Sequence, residues 1–93
     1  MKKLGEIFRQ ERENNELLLR QAAAKLDIDQ AVLSKIERCE RKATKDQLEN
    51  FSTLYNLDLN TITISWNSEK ISDLLEGETN KEEILQTLLK ELK

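Results

Sequence analysis

Residues 17–42 read LLLRQAAAKLDIDQAVLSKIERCERK, and this stretch decides the fold of the chain. It predicts two short helices, over about residues 18–26 and 30–38, joined by three residues. The alanines of the first helix favour helix formation and allow a second helix to approach closely. Asp29 is a suitable N-cap for the second helix, and the apolar Ile28 can fill the corner between the two. The sequence therefore predicts two packed helices with a tight turn between them.

The second of these helices has two different faces. Leu33 and Ile36, three residues apart, predict the buried face. The polar side carries Gln30, Ala31, Ser34, Lys35 and Arg38. Two short helices of which the second has a polar outer face form the layout of a helix-turn-helix, whose second helix enters the major groove of DNA. Side chains near the start of that helix then meet base edges, and basic residues around it meet phosphates.

Three further helices are predicted from apolar residues spaced three and four apart. The first covers about residues 3–14, and another follows Thr44 as N-cap and extends to Tyr55. The last follows Asn80 as N-cap. Its apolar stripe consists of Ile84, Leu85, Leu88, Leu89 and Leu92.

The stretch from residue 60 to 76 allows two interpretations. Ile62, Ile64 and Trp66 alternate as in a strand, and their β-branched neighbours support that pattern. A helix with Asn60 as N-cap and Gly77 as terminator is favoured. Such a helix is apolar on two sides and needs two packing partners. The side facing away from Trp66 carries Ile64, Ile71 and Leu75.

Composition excludes several classes of function. The chain has 93 residues, no His, one Cys and no Pro. Without His there is no Ser-His-Asp triad and no imidazole base, and Cys39 alone forms neither an intrachain disulfide nor a Cys-rich zinc site. No apolar run is long enough to span a membrane. We therefore expect neither an enzyme nor a cofactor or metal site, and an all-α protein of the reducing cytoplasm.

Charge is distributed unevenly along the chain. The formal net charge is −3, but residues 1–45 carry +3 and residues 46–93 carry −6. Such an asymmetry is a recognised hint of nucleic-acid contact on the basic side. The basic half contains the predicted helix-turn-helix. The acidic total therefore does not argue against binding of DNA.

The segment from Ala23 to Arg38 resembles the phage-repressor-like helix-turn-helix family, also called the xenobiotic-response-element family. The matching positions of the family pattern are Ala23, Lys25-Leu26, Ile28, Gln30 and Leu33-Ser34-Lys35-Ile36-Glu37-Arg38. The resemblance covers about residues 4–60. It implies a five-helix DNA-binding domain that usually acts as a dimeric transcription regulator on double-stranded DNA.

By position, the resemblance also implies roles for individual residues. The residues expected to face bases are Gln30, Ala31, Val32 and Lys35. The residues expected to contact phosphates are Arg20, Ser34, Arg38, Arg41, Lys42 and Lys45. An Arg of the first helix pairs with the Glu of the recognition helix in this family, which corresponds to Arg12 and Glu37 here. If that pair is buried, loss of one partner costs roughly 3–5 kcal/mol.

The chain departs from the family pattern at four positions. Asp27 and Cys39 replace two glycines, one in the turn and one after the recognition helix. Asp tolerates the left-handed backbone better than most residues do. Leu18 and Leu19 replace a capping residue and a phosphate-binding Gln, so that contact is expected to be lost, with Arg20 as its substitute.

The C-terminal extension, residues 61–93, is predicted to mediate dimerisation of the helix-turn-helix domain at residues 1–60. Folding back of the last helix on its own domain is the alternative. The predicted interface consists of Ile64, Ile71, Leu75, Leu85, Leu88, Leu89 and Leu92.

Three hypotheses for function follow. The first is a homodimeric regulator that reads a palindromic operator with half-sites one helical turn apart. The second is an antitoxin whose acidic half binds a toxin while the basic half regulates its own gene. The third is an adaptor that binds proteins and not DNA.

Overall fold

The computed structural model describes residues 2–93, which form six helices and no strand. The helices are α1 (Leu4–Asn14), α2 (Leu19–Leu26), α3 (Gln30–Glu37), α4 (Lys45–Tyr55), α5 (Leu59–Leu74) and α6 (Lys81–Leu92). The all-α prediction is confirmed. The strand interpretation of residues 60–76 is wrong, because most of these residues belong to α5.

The core lies between α1, α2, α3, α4 and the first turns of α5. Phe8, Leu33, Leu48 and Phe51 are the largest fully buried side chains of residues 2–93. The rings of Phe8 and Phe51 stack with their centroids 3.9 Å apart and their planes 1° from parallel. Burial of each such side chain stabilises the fold by about 1.5–3 kcal/mol relative to exposure. This core fixes the mutual positions of the first four helices.

The turn between α2 and α3 has the geometry that its residues predict. Asp27 adopts the left-handed conformation at φ 55°, and the carboxylate of Asp29 accepts a hydrogen bond of 2.7 Å from the Ala31 N–H. Ala23 is buried and Ile28 packs against the core from the corner. The small alanine and the corner isoleucine together let α3 lie close against α2.

Gly5 brings α1 into direct contact with the end of α3. A Cβ at this position would collide with the carbonyl oxygen of Ile36 and would lie 2.8 Å from Cys39 Sγ. Close approach of the two backbones therefore requires glycine here. This contact holds the C-terminal end of α3 from behind.

Two of the predicted boundaries of α5 are wrong. The N-cap is Asp58 and not Asn60, because Asp58 Oδ2 accepts from the N–H of Thr61 at 2.9 Å and from its hydroxyl at 2.6 Å. The hydroxyl and N–H of Thr61 also lower the pKa of Asp58 below its ordinary value. The helix ends at Leu74, so Gly77, at φ 87°, lies in the turn that follows and is not the terminator.

The other caps agree better with the sequence. Thr44 and Gln47 form a reciprocal capping box at the start of α4, with the two hydrogen bonds at 3.1 and 2.9 Å. Asn80 precedes α6 as predicted, although its side chain makes no capping hydrogen bond within residues 2–93.

The C-terminal helices leave much apolar surface in solvent. Ile62 is the buried residue of α5, and α6 has none. The start of α6 packs against the end of α5, where Ile71, Leu75 and Leu85 line a shallow groove. No helix within residues 2–93 is both long and apolar enough to cross a membrane.

Candidate nucleic-acid interface

The outward face of α3 is polar because its inward face is fixed in the core. Leu33, Ile36 and Glu37 are buried. The opposite side is exposed at Gln30, Ala31, Lys35 and Arg38, and half-exposed at Val32 and Ser34. Of the four predicted base-contacting residues, Gln30, Ala31 and Lys35 therefore face outward, whereas Val32 packs partly against the core.

Gln30 and Lys35 are available for an external partner. Within the part of the chain that the structure describes, neither side chain has a hydrogen bond or an ion pair. The Asp29 cap satisfies an N–H of the first turn of α3, which fixes the start of the helix. Both side chains thus extend from a rigid backbone.

The predicted phosphate-contacting residues lie on three segments. Arg20 is exposed in the first turn of α2, Ser34 lies within α3 and Arg38 directly follows it, and Arg41 and Lys45 precede or begin α4. Arg38 forms an ion pair of 3.2 Å with Glu40, and its Nε donates to the Ser34 carbonyl. The sixth residue of the set, Lys42, has carboxylate partners on α5.

The start of α2 lacks a side-chain cap. Leu18 occupies the N-cap position, is 50% exposed and has no acceptor atom. Gln21 supplies the reciprocal half of a capping box, since its Oε1 accepts from the Leu18 N–H at 2.7 Å. Leu19 packs against the core. The structure thus has no amide at the position where the family carries a Gln, and the exposed Arg20 lies beside it.

Arg12 of α1 binds Glu37 from behind α3. Arg12 Nε donates to Glu37 Oε2 at 2.8 Å, and Nη2 donates to Oε1 at 3.1 Å. The third nitrogen, Nη1, donates to the Leu17 carbonyl at 2.9 Å. The side chains are 15% and 4% exposed. The hydrogen bond with Glu37 raises the pKa of Arg12, so this residue stays charged and ties α3 to α1.

Tyr55 lies near this pair, and sequence reasoning assigned it only to the core. Its hydroxyl is buried without a hydrogen-bond partner among the described residues. Burial, with a smaller contribution from the charge of Glu37, raises the pKa of Tyr55 to about 12. In the sequence, the position of Tyr55 on the apolar stripe of α4 indicates that it is buried. The sequence pattern does not indicate that it lies near the charged Arg12 and Glu37.

Sequence reasoning also missed the contacts from α5 to the segment after α3. Trp66 Nε1 donates to the Ala43 carbonyl at 2.9 Å. Glu69 Oε2 accepts from the Leu4 N–H, at the start of α1, at 2.9 Å. Lys70 stacks over the ring of Trp66 at 3.8 Å. The first two contacts border a cleft of about 370 Å³ between α1, the segment after α3, and α5, lined by Leu4, Ala43, Trp66 and Glu69 among others.

The residues of the predicted dimer interface are largely in solvent. Ile64, Ile71, Leu85, Leu88, Leu89 and Leu92 are exposed, and Leu75 is half-buried. Leu74, which was not among them, is 82% exposed. No group of acidic or thiol side chains within residues 2–93 is arranged to hold a metal ion.

The comparison with protein families agrees with this geometry. A family model described as Helix-turn-helix matches residues 8–62, more than half of the chain. The matched region runs from α1 into the first turn of α5 and contains both helices of the motif. The chain has no significant match among curated proteins or among solved structures. The family consists of DNA-binding regulators and is typically not enzymatic. The chain thus belongs to the helix-turn-helix family of the Cro/C1, phage-repressor-like type.

Proposed function

We propose that this chain is a sequence-specific regulator of transcription that inserts α3 into the major groove of DNA. The observation that carries this proposal is the division of α3 into a core-anchored back and an exposed front. Glu37 and Leu33 hold the back, and the side chains of Gln30 and Lys35 are unpartnered among residues 2–93. A rigid helix with free polar side chains is what direct reading of base edges requires.

Each proposed base contact has its own chemistry. The amide of Gln30 can bind the N6 and N7 positions of adenine in bidentate fashion, and Lys35 can donate to the O6 and N7 of guanine. Ala31 and Val32 offer methyl groups to the methyl group of thymine. A good bidentate contact provides about 1–3 kcal/mol of discrimination between bases.

The proposed phosphate contacts set the register of α3 on the duplex. Arg20, Ser34, Arg38, Arg41 and Lys45 supply the donors, whereas Lys42, the sixth residue of the predicted set, is paired with Glu69 and Asp73 of α5. Each neutralised phosphate adds about 0.9 to the steepness of log K against log salt. Their contribution is therefore measurable apart from that of the base contacts.

Selection of bound sequences from a random pool of duplex DNA tests this proposal. We expect enrichment of a palindrome with half-sites about 34 Å apart. The substitution Lys35→Ala should relax preference at one position of each half-site, whereas Lys90→Ala on α6, with the same loss of charge, should not. Absence of any enriched sequence, or equal selectivity of Lys35→Ala and the original chain, would refute the proposed reading by α3.

We further propose that the regulator is a homodimer joined by the exposed apolar residues of α5 and α6. Eight exposed Ile and Leu side chains on α5 and α6, six of them in the predicted interface, form a surface that favours a protein partner. Mass measurement in solution should give twice the chain mass. Leu88→Asp should give a monomer, and Gln86→Asp, off the apolar stripe of the same helix, should not. A monomeric mass for the original chain at high concentration would contradict the dimer.

The exposed α6 and the charge of −6 on residues 46–93 also suit an antitoxin, in which a basic or apolar toxin covers the same surface. Purification of the chain from its native host distinguishes the two, because an antitoxin brings a stoichiometric partner. The adaptor hypothesis, supported by Leu19 in place of the phosphate-binding Gln and by the net charge of −3, predicts no salt-dependent binding to genomic fragments. All three hypotheses place the protein in the cytoplasm.

A further inference from the structure

Lys42 belongs to the basic segment between α3 and α4, yet its charge is directed to α5. Its Nζ lies 2.9 Å from Asp73 Oδ2 and 3.7 Å from Glu69 Oε1. Arg38, an exposed neighbour in the same segment, forms its ion pair within that segment, with Glu40, and not with α5. Lys42 is thus held by two carboxylates from outside the helix-turn-helix.

Two other contacts fix this arrangement. The Trp66 indole, on the same helix as both carboxylates, binds the carbonyl of Ala43, the residue after Lys42. Glu69 is itself held, because its second oxygen accepts from the Leu4 N–H, and its side chain is only 18% exposed. Glu69 therefore has a fixed position. The more exposed Asp73 contacts Lys42 from the solvent side.

The ammonium group of Lys42 carries a single positive charge, which cannot fully compensate both these carboxylates and a DNA phosphate. With Lys42 between Glu69 and Asp73, its positive charge is compensated within the chain. A phosphate that approached Lys42 would also meet the negative charge of both carboxylates within about 4 Å of the ammonium group. This repulsion opposes a phosphate contact at this position.

Resting on the DNA binding proposed above, we propose that Asp73 and Glu69 of α5 withhold Lys42 from the DNA backbone and so lower the affinity of the regulator. The two carboxylates act through Lys42 and do not contact DNA. They are positioning residues, and they make α5 a determinant of DNA affinity. Five basic or hydroxyl side chains then carry the phosphate contacts, and Lys42 supplies a sixth to the extent that the two carboxylates are neutralised.

The test measures binding of the full chain to its selected operator by fluorescence anisotropy over a range of salt concentrations. The variant Glu69→Gln/Asp73→Asn keeps oxygen acceptors for Lys42 and for the Leu4 N–H but removes both charges. We expect tighter binding, by about five- to tenfold at 0.1 M salt, and a slope steeper by about 0.9, the value for one added phosphate. Asp73→Asn alone, at an exposed position that does not endanger folding, should give a smaller change in the same direction.

Two controls separate this effect from a general loss of negative charge. Glu83→Gln/Glu91→Gln on α6 removes the same charge far from Lys42 in sequence and should leave the slope unchanged. In a Lys42→Ala background, Glu69→Gln/Asp73→Asn should no longer steepen the slope. The inference is overturned if the gain persists in that background, if the α6 variant reproduces it, or if the slope does not change. If the original chain binds no DNA at all, the proposed function itself fails.

Discussion

Removal of either partner of the Arg12–Glu37 pair should destabilise the chain strongly. Three nitrogens of Arg12 are used, two by the Glu37 carboxylate and one by the Leu17 carbonyl. Arg12→Ala leaves the nearly buried Glu37 carboxylate without a counter-charge. Glu37→Gln leaves a guanidinium that is only 15% exposed facing a neutral amide.

The magnitude follows from burial. Breaking a buried ion pair by removal of one partner costs about 3–5 kcal/mol, because the remaining charge keeps its desolvation penalty. A small domain has only about 5–15 kcal/mol of stability in total. Since 1 kcal/mol shifts the melting temperature of such a domain by about 4–8 °C, we expect Arg12→Ala to lower Tm by more than 12 °C.

The chain contains a matched control in the same helix. Arg9 and Glu13 form an ion pair of 3.5 Å, one turn apart, with side chains 60% and 53% exposed. Such exposed pairs contribute about 0.3–0.5 kcal/mol. Arg9→Ala should therefore be almost neutral. Urea unfolding followed by the fluorescence of Trp66, the one tryptophan of the chain, measures both variants directly.

A double variant tests the reason for the loss. If the cost of Arg12→Ala comes from the stranded carboxylate, then Arg12→Met combined with Glu37→Leu should recover most of the stability, since apolar replacement of a buried pair is often neutral. A loss below about 1 kcal/mol for Arg12→Ala would refute the reasoning. So would a double variant that is less stable than both single variants.

Three further substitutions should show smaller effects. The pKa of Tyr55 is raised from 10.0 to about 12 in the folded chain. The stability that its neutral hydroxyl contributes is therefore complete below pH 10, and about 2–3 kcal/mol of it is lost as the pH rises toward 12. In urea unfolding, Tyr55→Phe should remove this part of the alkaline loss of stability. Cys39→Gly should stabilise the chain by about 1 kcal/mol, because Cys39 has φ 63° and only glycine adopts this region without cost; a destabilised variant would show that the Sγ contact near Gly5 outweighs the backbone. Leu18→Ser should raise Tm through about 1 kcal/mol of capping energy, and an unchanged Tm would show that Gln21 already satisfies this end of α2.

The first four helices could be predicted from the sequence because each carries its own evidence. The spacing of Leu33 and Ile36, the N-caps Asp29 and Thr44, and the small Ala23 are local signals with local causes. The match of residues 8–62 to the family model covers most of this region. Local pattern and tertiary packing agree here, which is the condition under which sequence reasoning works.

Helix α5 was harder to predict for physical reasons. Both Asp58 and Asn60 are good capping residues, and the choice depends on Thr61, which donates from both its N–H and its hydroxyl to Asp58. The apolar residues of α5 are spread around the helix, so alternation and helical periodicity fit almost equally well.

The contacts of α5 with distant segments could not be derived from one sequence. The bonds from Trp66 to Ala43 and from Leu4 to Glu69 join residues that are 23 and 65 positions apart. Periodicity assigns a residue to a face of its helix, but it does not say which side chain of another helix meets it. The pairing of Lys42 with Asp73 belongs to the same class, and it is the observation behind the role that we propose for Lys42.

The exposure of α6 has a consequence for its folding. A 12-residue helix in water is marginal without extensive packing, and α6 fully buries no residue although its start contacts α5. The proposed dimer would therefore stabilise α6 beyond its contact with the end of α5, and the amides of residues 81–92 should exchange with solvent at a rate that falls as protein concentration rises. The amides of α1 and α3 around Phe8 and Leu33 should exchange through the opening of the core and show no such dependence. Hydrogen exchange at two concentrations would then map the associating segment residue by residue.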